Sequence, residues 1–169
     1  MSHAKNKLDW CIKKAEKELK ETGKHRGLVK IKPDIEKAKK HILKAEYYLR
    51  ATVSLKKEGF SVISTSTIFY AMYHCLLAIS VKFGYSSRNQ ECTFALINSL
   101  IEDKKIDFNI EILNKIASLD DKEQEETSIG VREYYQYETD LSLKDDNTYK
   151  ELFELAREVI SKTKDITEK

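Results

Sequence analysis

The sequence predicts an all-α protein, an up-and-down bundle of about five core helices with a further helix at the N-terminus. Apolar residues recur at spacings of three and four along most of the chain, as on the buried face of a helix. The 169 residues include one proline and five glycines, so the turns of a many-stranded β fold are missing. Residues 61–83 are apolar on nearly every side, which is typical of a central helix. We expect one compact domain, with a helix and basic connector at 1–33 followed by the bundle at 34–169.

Two amphipathic stripes predict the first two helices. Gly23 ends the first, residues 24–32 form the basic connector, and Pro33 is expected in the first turn of the second. The second helix is expected to end at Gly59, since glycine enters the left-handed region at little cost. The stripes are Leu8, Ile12, Ala15 and Leu19, and then Ile35, Ala38, Ile42, Ala45, Leu49 and Thr52.

The central apolar helix is followed by three or four further helical segments. Ser87 and Gln90 have the spacing of a capping box, and a fifth helix is expected to open at residue 110. The acidic segment 120–127 is compatible with either a solvated helix or a loop. The aromatic stretch 128–140 comes next, and the last helix is expected to be capped by Asp146 or Asn147.

Composition restricts the classes of function. Basic and acidic residues nearly cancel, leaving a formal charge of +2, so any anion site must be local. The three cysteines are widely separated and have no metal-ligand spacing, which predicts reduced buried thiols, no disulfide framework and no metal site. No cofactor motif is found, and no apolar run approaches the ~20 residues of a membrane span. We expect a cytoplasmic protein that does not engage a membrane.

His74 and Arg132 are the two candidates for chemistry. His74 lies within the strongly apolar "FYAMYHCLL", where a histidine is either a hydrogen-bonded core group or a catalyst. Arg132 opens the aromatic "REYYQY". If this segment is helical, Tyr135 and Gln136 share the face of the arginine, and the three side chains form a phosphate site.

The same spacing leaves a second interpretation of the arginine open. Tyr134 and Tyr137 are expected to point inward, away from the arginine. In the second interpretation Arg132 is a structural cation, paired with the preceding acidic segment or with Glu138 or Asp140. Spacing alone does not choose between a phosphate site and an ion pair.

The stretches "STSTIFYAMYHCLLAISVKFG" and "VREYYQYETD" together resemble the HEPN domain. They are similar to the small stand-alone archaeal and bacterial forms with "YAMFHA" and "RxxADY" signatures. The likeness covers roughly residues 34–165. It implies a five-helix bundle that dimerises through its motif helices, here residues 61–83 and the Arg132 segment. It also implies a small nucleotidyltransferase as partner, in a toxin–antitoxin arrangement.

The resemblance further implies a metal-independent ribonuclease built on Arg-x4–6-His. The arginine steadies the scissile phosphate, and the histidine assists proton transfer at the 2′-hydroxyl. Arg132 matches the motif arginine, but Tyr137 stands five positions later in place of the histidine. A phenol with an ordinary pKa near ~10 is a poor general base at neutral pH. His74 is the remaining candidate for that role.

Three functions are compatible with these features. The first is an HEPN-like protein that binds RNA or a nucleotide at an Arg132-centred cleft, with ribonuclease activity uncertain. The second is a non-catalytic module in which the apolar helix dimerises and the tyrosines are structural. The third, an unrelated helical adaptor, follows if the resemblance is accidental.

Overall fold

The computed structural model describes residues 2–117 and 127–169, which form seven α-helices and one small sheet. The helices are α1 (His3–Thr22), α2 (Ile35–Lys57), α3 (Ser61–Lys82), α4 (Gln90–Glu102), α5 (Ile110–Ile116), α6 (Ser128–Tyr137) and α7 (Asp146–Glu168). The antiparallel strands are β1 (Leu28–Lys30) and β2 (Tyr85–Ser87), with Leu28 opposite Ser87 and Lys30 opposite Tyr85. The predicted all-α bundle is confirmed, and the basic connector contains an unpredicted strand.

Helix α3 lies at the centre of the bundle and packs against α2, α4, α6 and α7. Its fully buried side chains on several faces include Phe69, Met72, Leu76 and Ile79. By length and composition α3 also passes as a membrane span, contrary to the expectation from the sequence, but 56% of its most apolar window is buried inside the bundle. It is therefore placed as the core helix of a soluble protein would be.

Helices α2 and α3 form an antiparallel hairpin around Gly59. Gly59 adopts φ +86°, and its N–H donates to the carbonyl of Lys56, so the helix ends where glycine was expected to end it. From Ala38 onward the predicted stripe of α2 is turned toward the core, with Ala38, Ala45 and Thr52 fully buried, whereas Ile35 at its start is 40% exposed. This hairpin provides the scaffold of the candidate site.

Three predicted helix starts are displaced by one or two residues. Asp34 caps α2, so Pro33 precedes the helix rather than lying in its first turn. Asn89 caps α4 by accepting from the N–H of Cys92, whereas Ser87 belongs to β2. Asp145 caps α7 in place of Asp146 or Asn147. In each case the side chain of an Asp or Asn accepts from a free N–H of the first turn, as these residues commonly do at helix N-termini. The acidic segment up to residue 126 lies outside the described residues.

The expectation of reduced cysteines is wrong for two of the three. Cys11 of α1 and Cys92 of α4 form a disulfide across 81 residues of sequence, with Cα atoms 5.8 Å apart. Both lie on buried helix faces that pack together, a proximity that sequence spacing cannot reveal. Cys75 is free and buried, and burial raises the pKa of its thiol to about 12. The disulfide therefore joins the N-terminal helix covalently to the bundle.

Candidate functional site

Arg132 lies on the inward face of α6. Thr127 caps this helix by accepting from the N–H of Gly130, and the Ser128 hydroxyl donates to the carbonyl of Ile116. These contacts fix the rotation of the helix so that Ser128, Arg132 and Tyr135 face the core. Arg132 is consequently only 8% exposed, which is unusual for an arginine.

The Arg132 guanidinium is stacked on aromatic rings of α3. Its Cζ lies 4.6 Å from the ring centroid of Phe69 and 6.0 Å from that of Tyr70. Nη2 donates to Oε1 of the adjacent Glu133 at 3.0 Å. Nε is buried and has no hydrogen-bond partner among the described residues. An arginine offers five N–H donors, so this group keeps donors free for an oxyanion beside a π surface.

Of the two residues predicted to share the face of Arg132, Tyr135 faces the core with it and Gln136 does not. Tyr135 is buried, and its hydroxyl accepts from the backbone N–H of Lys144 at 2.9 Å. Gln136 is exposed at the surface of α6. Tyr134 and Tyr137 point outward rather than inward, at 39% and 78% exposed. The expected orientation was wrong for Tyr134 and Tyr137, because Ser128, Arg132 and Tyr135 are the residues of α6 that face the core.

The structural partner of Arg132 also differs from the expected one. The described ion pair is with Glu133, rather than with Glu138 or Asp140. Asp140 instead accepts from the Tyr134 hydroxyl at 3.2 Å. Glu133 is half exposed, and an ion pair with one exposed partner contributes little net stability. Pairing with the acidic segment lies outside the described residues.

His74 is paired with a second histidine that the sequence did not single out. Nδ1 of His74 lies 3.0 Å from Nδ1 of His41 on α2. The His74 ring stacks on Tyr48 with centroids 5.5 Å apart, and the Tyr48 ring lies 5.8 Å from that of Tyr70. Tyr70 in turn adjoins Arg132, so an unbroken row of rings leads from the histidine pair to the guanidinium.

We call this row the α2–α3 aromatic face, defined by His41, Tyr48, Tyr70 and His74 with the flanking Lys37 and Lys44. Tyr70 is exposed and the other three rings are half-buried, so the row borders solvent. Lys44 Nζ lies 5.1 Å from the Tyr47 ring and 5.3 Å from the Tyr48 ring. The face therefore combines stacking surfaces with positive charge.

Both histidines are held neutral at physiological pH. Burial, together with the nearby His74 and Lys37, lowers the pKa of His41 to about 4. Burial and Lys44 lower the pKa of His74 as well. A neutral imidazole can donate from one nitrogen and accept at the other, which a protonated one cannot.

No cluster of three or more His, Cys, Asp or Glu side chains suited to a metal occurs among residues 2–117 and 127–169. A groove of about 800 Å³ runs between α2 and α7, on another side of α2 from the histidine pair, and Leu43, Arg50 and Phe153 line it.

The likeness to HEPN domains rests on the motifs of α3 and α6, while no protein-family model and no curated protein matches this chain.

Proposed function

We propose that this protein is an HEPN-like RNA-binding protein, which takes single-stranded RNA or a nucleotide on the α2–α3 aromatic face next to Arg132. The observation that carries the proposal is the Arg132 guanidinium, which is buried, stacked on Phe69 and left with a free Nε at the end of the row of rings. Burying a charged group without full pairing costs free energy, and a bound phosphate offsets that cost.

The chemistry of the face fits unpaired nucleotides. Bases stack on tyrosine and histidine rings, and each such contact contributes ~1–3 kcal/mol in single-strand binding proteins. Lys37 and Lys44 flank the rings and attract the phosphate backbone. Tyr70 and His74 are one helical turn apart on α3, so one short strand can contact both the arginine and the histidines.

The wider setting follows from the family resemblance and belongs to the same proposal. We place the protein in the cytoplasm as a homodimer formed through α3 and α6, paired with a small nucleotidyltransferase in a toxin–antitoxin system. The Cys11–Cys92 disulfide fits a cytoplasm only where the thiol pool leaves it oxidised, as in hyperthermophiles. Thiol trapping in extracts of the native cell tests this placement directly.

One observation favours the second function, a helical interaction module without nucleic-acid activity. Phe60, Ile63, Tyr134 and Tyr137 are all more than a third exposed, at the start of α3 and on α6. Exposed aromatic and aliphatic side chains on neighbouring helices are typical of a surface that packs on a partner. Under this function Arg132 is structural, and the aromatic face carries no ligand.

Fluorescence anisotropy with a short labelled single-stranded RNA, titrated at several salt concentrations, separates the two functions. We expect Arg132→Gln to weaken binding about tenfold or more, because the charged, bidentate donor is lost. Lys44→Gln should reduce the salt slope by about one. Arg157→Gln is the matched control, since Arg157 is an exposed arginine that pairs with Glu154 on α7.

Two outcomes contradict the proposal. The first is a folded parent protein that binds no RNA, and with a concentration-dependent dimer it supports the interaction module. The second is an Arg132→Gln variant that loses thermal stability yet binds RNA as tightly as the parent. That result would make Arg132 a structural cation.

A further inference from the structure

We propose that the groove between α2 and α7 is the docking site for an acidic amphipathic helix of a partner protein. This function goes beyond RNA binding and does not require it, because the groove lies on another side of α2 from the histidine pair. We call it the α2–α7 groove, defined by Leu43, Tyr47, Arg50 and Val53 of α2 and by Phe153 and Ile160 of α7.

The α2 wall of the groove exposes three large apolar side chains. Leu43 is 64% exposed, Tyr47 56% and Val53 51%. Together with Arg50 they recur at spacings of three and four, so they form one stripe that is separate from the buried stripe of the same helix. A row of exposed apolar side chains along a groove is typical of a surface that packs on a partner.

The floor of the groove is apolar as well. Ile160 is 7% exposed, and Leu49 and Phe153 are half-buried between the two helices. The groove has a volume of about 800 Å³, which is room for several side chains of a partner. Side chains that insert there lose contact with water on both sides, and such buried anchors contribute most to the affinity of an interface.

The length of the groove suits a short helix. The Glu46–Lys164 ion pair, with 2.5 Å between Oε1 and Nζ, joins α2 to α7 near one end, and the Lys56–Asp146 pair joins them near the other. From Leu43 onward the exposed stripe continues for about 15 Å along α2, the length of roughly three helical turns. An amphipathic helix that lays its apolar face into a groove of this kind is a common mode of protein recognition.

The charge of the groove indicates which kind of helix fits. Arg50, Arg157 and Lys164 line it, with Glu46 as the acidic residue among the lining side chains. Arg157 pairs with Glu154 and Lys164 pairs with Glu46, whereas Arg50 makes no ion pair with the residues that the structure describes. The groove therefore presents an unpaired guanidinium beside apolar surface, which suits a carboxylate next to the apolar stripe of a helix.

Other occupants fit the groove less well. A second copy packed groove on groove would set Arg50 and Arg157 against the same cations of its partner, because a two-fold interface applies one surface to itself. Single-stranded RNA binds on rings, and the exposed stripe here is mainly aliphatic, while the stacked rings belong to the α2–α3 aromatic face. An acidic amphipathic helix satisfies both the apolar and the cationic parts of the groove.

Fluorescence anisotropy with two synthetic peptides tests the proposal. The first is a labelled helical peptide of about 18 residues, with one stripe of leucines at spacings of three and four, glutamates beside them and alanine elsewhere. The second carries lysine in place of every glutamate. We expect the parent protein to bind the glutamate peptide about tenfold or more tightly than the lysine peptide, because only the first complements the groove in charge.

Two variants locate the bound peptide. Arg50→Glu should weaken binding of the glutamate peptide about tenfold or more and strengthen binding of the lysine peptide, because it reverses the charge within the stripe. Leu43→Asn should weaken binding of the glutamate peptide about fivefold, since an apolar anchor is lost. The matched controls are Arg88→Glu and Leu141→Asn, which make the same changes at exposed positions outside the groove and should bind as the parent does.

Four outcomes overturn the proposal. A folded parent that binds neither peptide has no such docking site, and equal binding of both peptides removes the preference for an acidic partner. Equal effects of Arg50→Glu and Arg88→Glu would show general attraction between charges rather than docking in the groove. A concentration-dependent dimer in sedimentation velocity that Leu43→Asn dissociates would assign the groove to a second copy. RNA binding on the α2–α3 aromatic face is measured separately and is unaffected by any of these results.

Discussion

The interface between α1 and α4 and the interface between α2 and α3 hold their helices together by different means. The buried residues of α1 are small, Ala4, Cys11 and Ala15, and they contribute little hydrophobic free energy. This interface gains the Cys11–Cys92 disulfide and the ion pairs Lys5–Asp103 and Lys7–Glu91. The interface between α2 and α3 has far more extensive packing and no covalent link.

The difference explains where the candidate site lies. A well-packed hairpin can hold polar side chains at fixed distances, as it does for the His41–His74 and Thr52–Thr67 pairs. The α1–α4 interface uses its polar contacts mainly for attachment, at exposed positions where screening weakens them. Stability of the N-terminal helix and chemistry of the hairpin should therefore be separable by experiment.

The largest expected effect is the loss of the disulfide. Replacing Cys11 and Cys92 by alanine, or reducing the parent, should lower the free energy of unfolding by about 4 kcal/mol, because the bond closes a loop of 81 residues. Urea unfolding measures this change, and RNA binding at the hairpin should stay as in the parent.

The control for this prediction is the Cys11→Ala, Cys92→Ala double variant. Its free energy of unfolding should be the same with and without the reductant. Cys75 does not complicate the comparison, since burial keeps its thiol protonated. Equal stability of the oxidised and reduced parent would contradict the role assigned to the disulfide. A loss of RNA binding on reduction would contradict the independence of the two interfaces.

The next effect concerns the hairpin and depends on pH. The folded pKa of His41 is about 4, below the unfolded value near ~6.5, so the native state binds its proton less readily than the unfolded chain. The contribution of the neutral His41 to the free energy of unfolding is complete above pH ~6.5 and is lost as the pH falls toward 4. Allowing for its partial exposure, we expect a loss of about 1–2 kcal/mol.

Urea unfolding between pH 7 and 4 tests this expectation. Carboxylates also titrate near the lower end, so the reference is the His41→Gln, His74→Gln double variant rather than the parent at one pH. The parent should lose more stability than this variant across the range. Parallel curves for the two proteins would mean that the pair is not held neutral by the fold.

Much of the architecture could be predicted from the sequence, because helix stripes and glycine ends are local signals. Ala38, Ala45 and Thr52 were predicted on the buried face of α2, and the stop at Gly59 was expected. Non-local contacts left no such signal. The disulfide and the pairing of β1 with β2 both depend on how segments far apart in sequence meet in space.

The site was predicted only in part for the same reason. His74 and Arg132 were found by residue type in unusual surroundings, but the partner of each was missed. His41 lies on a lysine-rich helix, and nothing in the sequence around it indicated a contact with His74. The hairpin folds about Gly59 and brings His41 opposite the middle of α3. The orientation of Tyr134 and Tyr137 was misjudged because these two rings were taken as the inward face of α6, whereas Ser128, Arg132 and Tyr135 pack inward.

The smallest expected effect concerns the contact between the Thr52 and Thr67 hydroxyls, which joins α2 to α3. The Thr52 and Thr67 hydroxyls are 2.6 Å apart, and each also lies 3.0 Å from a backbone carbonyl, that of Tyr48 and that of Ser64. Two hydroxyl protons thus serve three contacts. We expect Thr52→Val to cost about 1 kcal/mol, and the double variant with Thr67→Val to cost less than the sum of the two single changes, because removing both partners leaves no hydroxyl unsatisfied. A double-mutant cycle in urea measures the coupling, and strictly additive losses would show that the short contact between the hydroxyls contributes nothing.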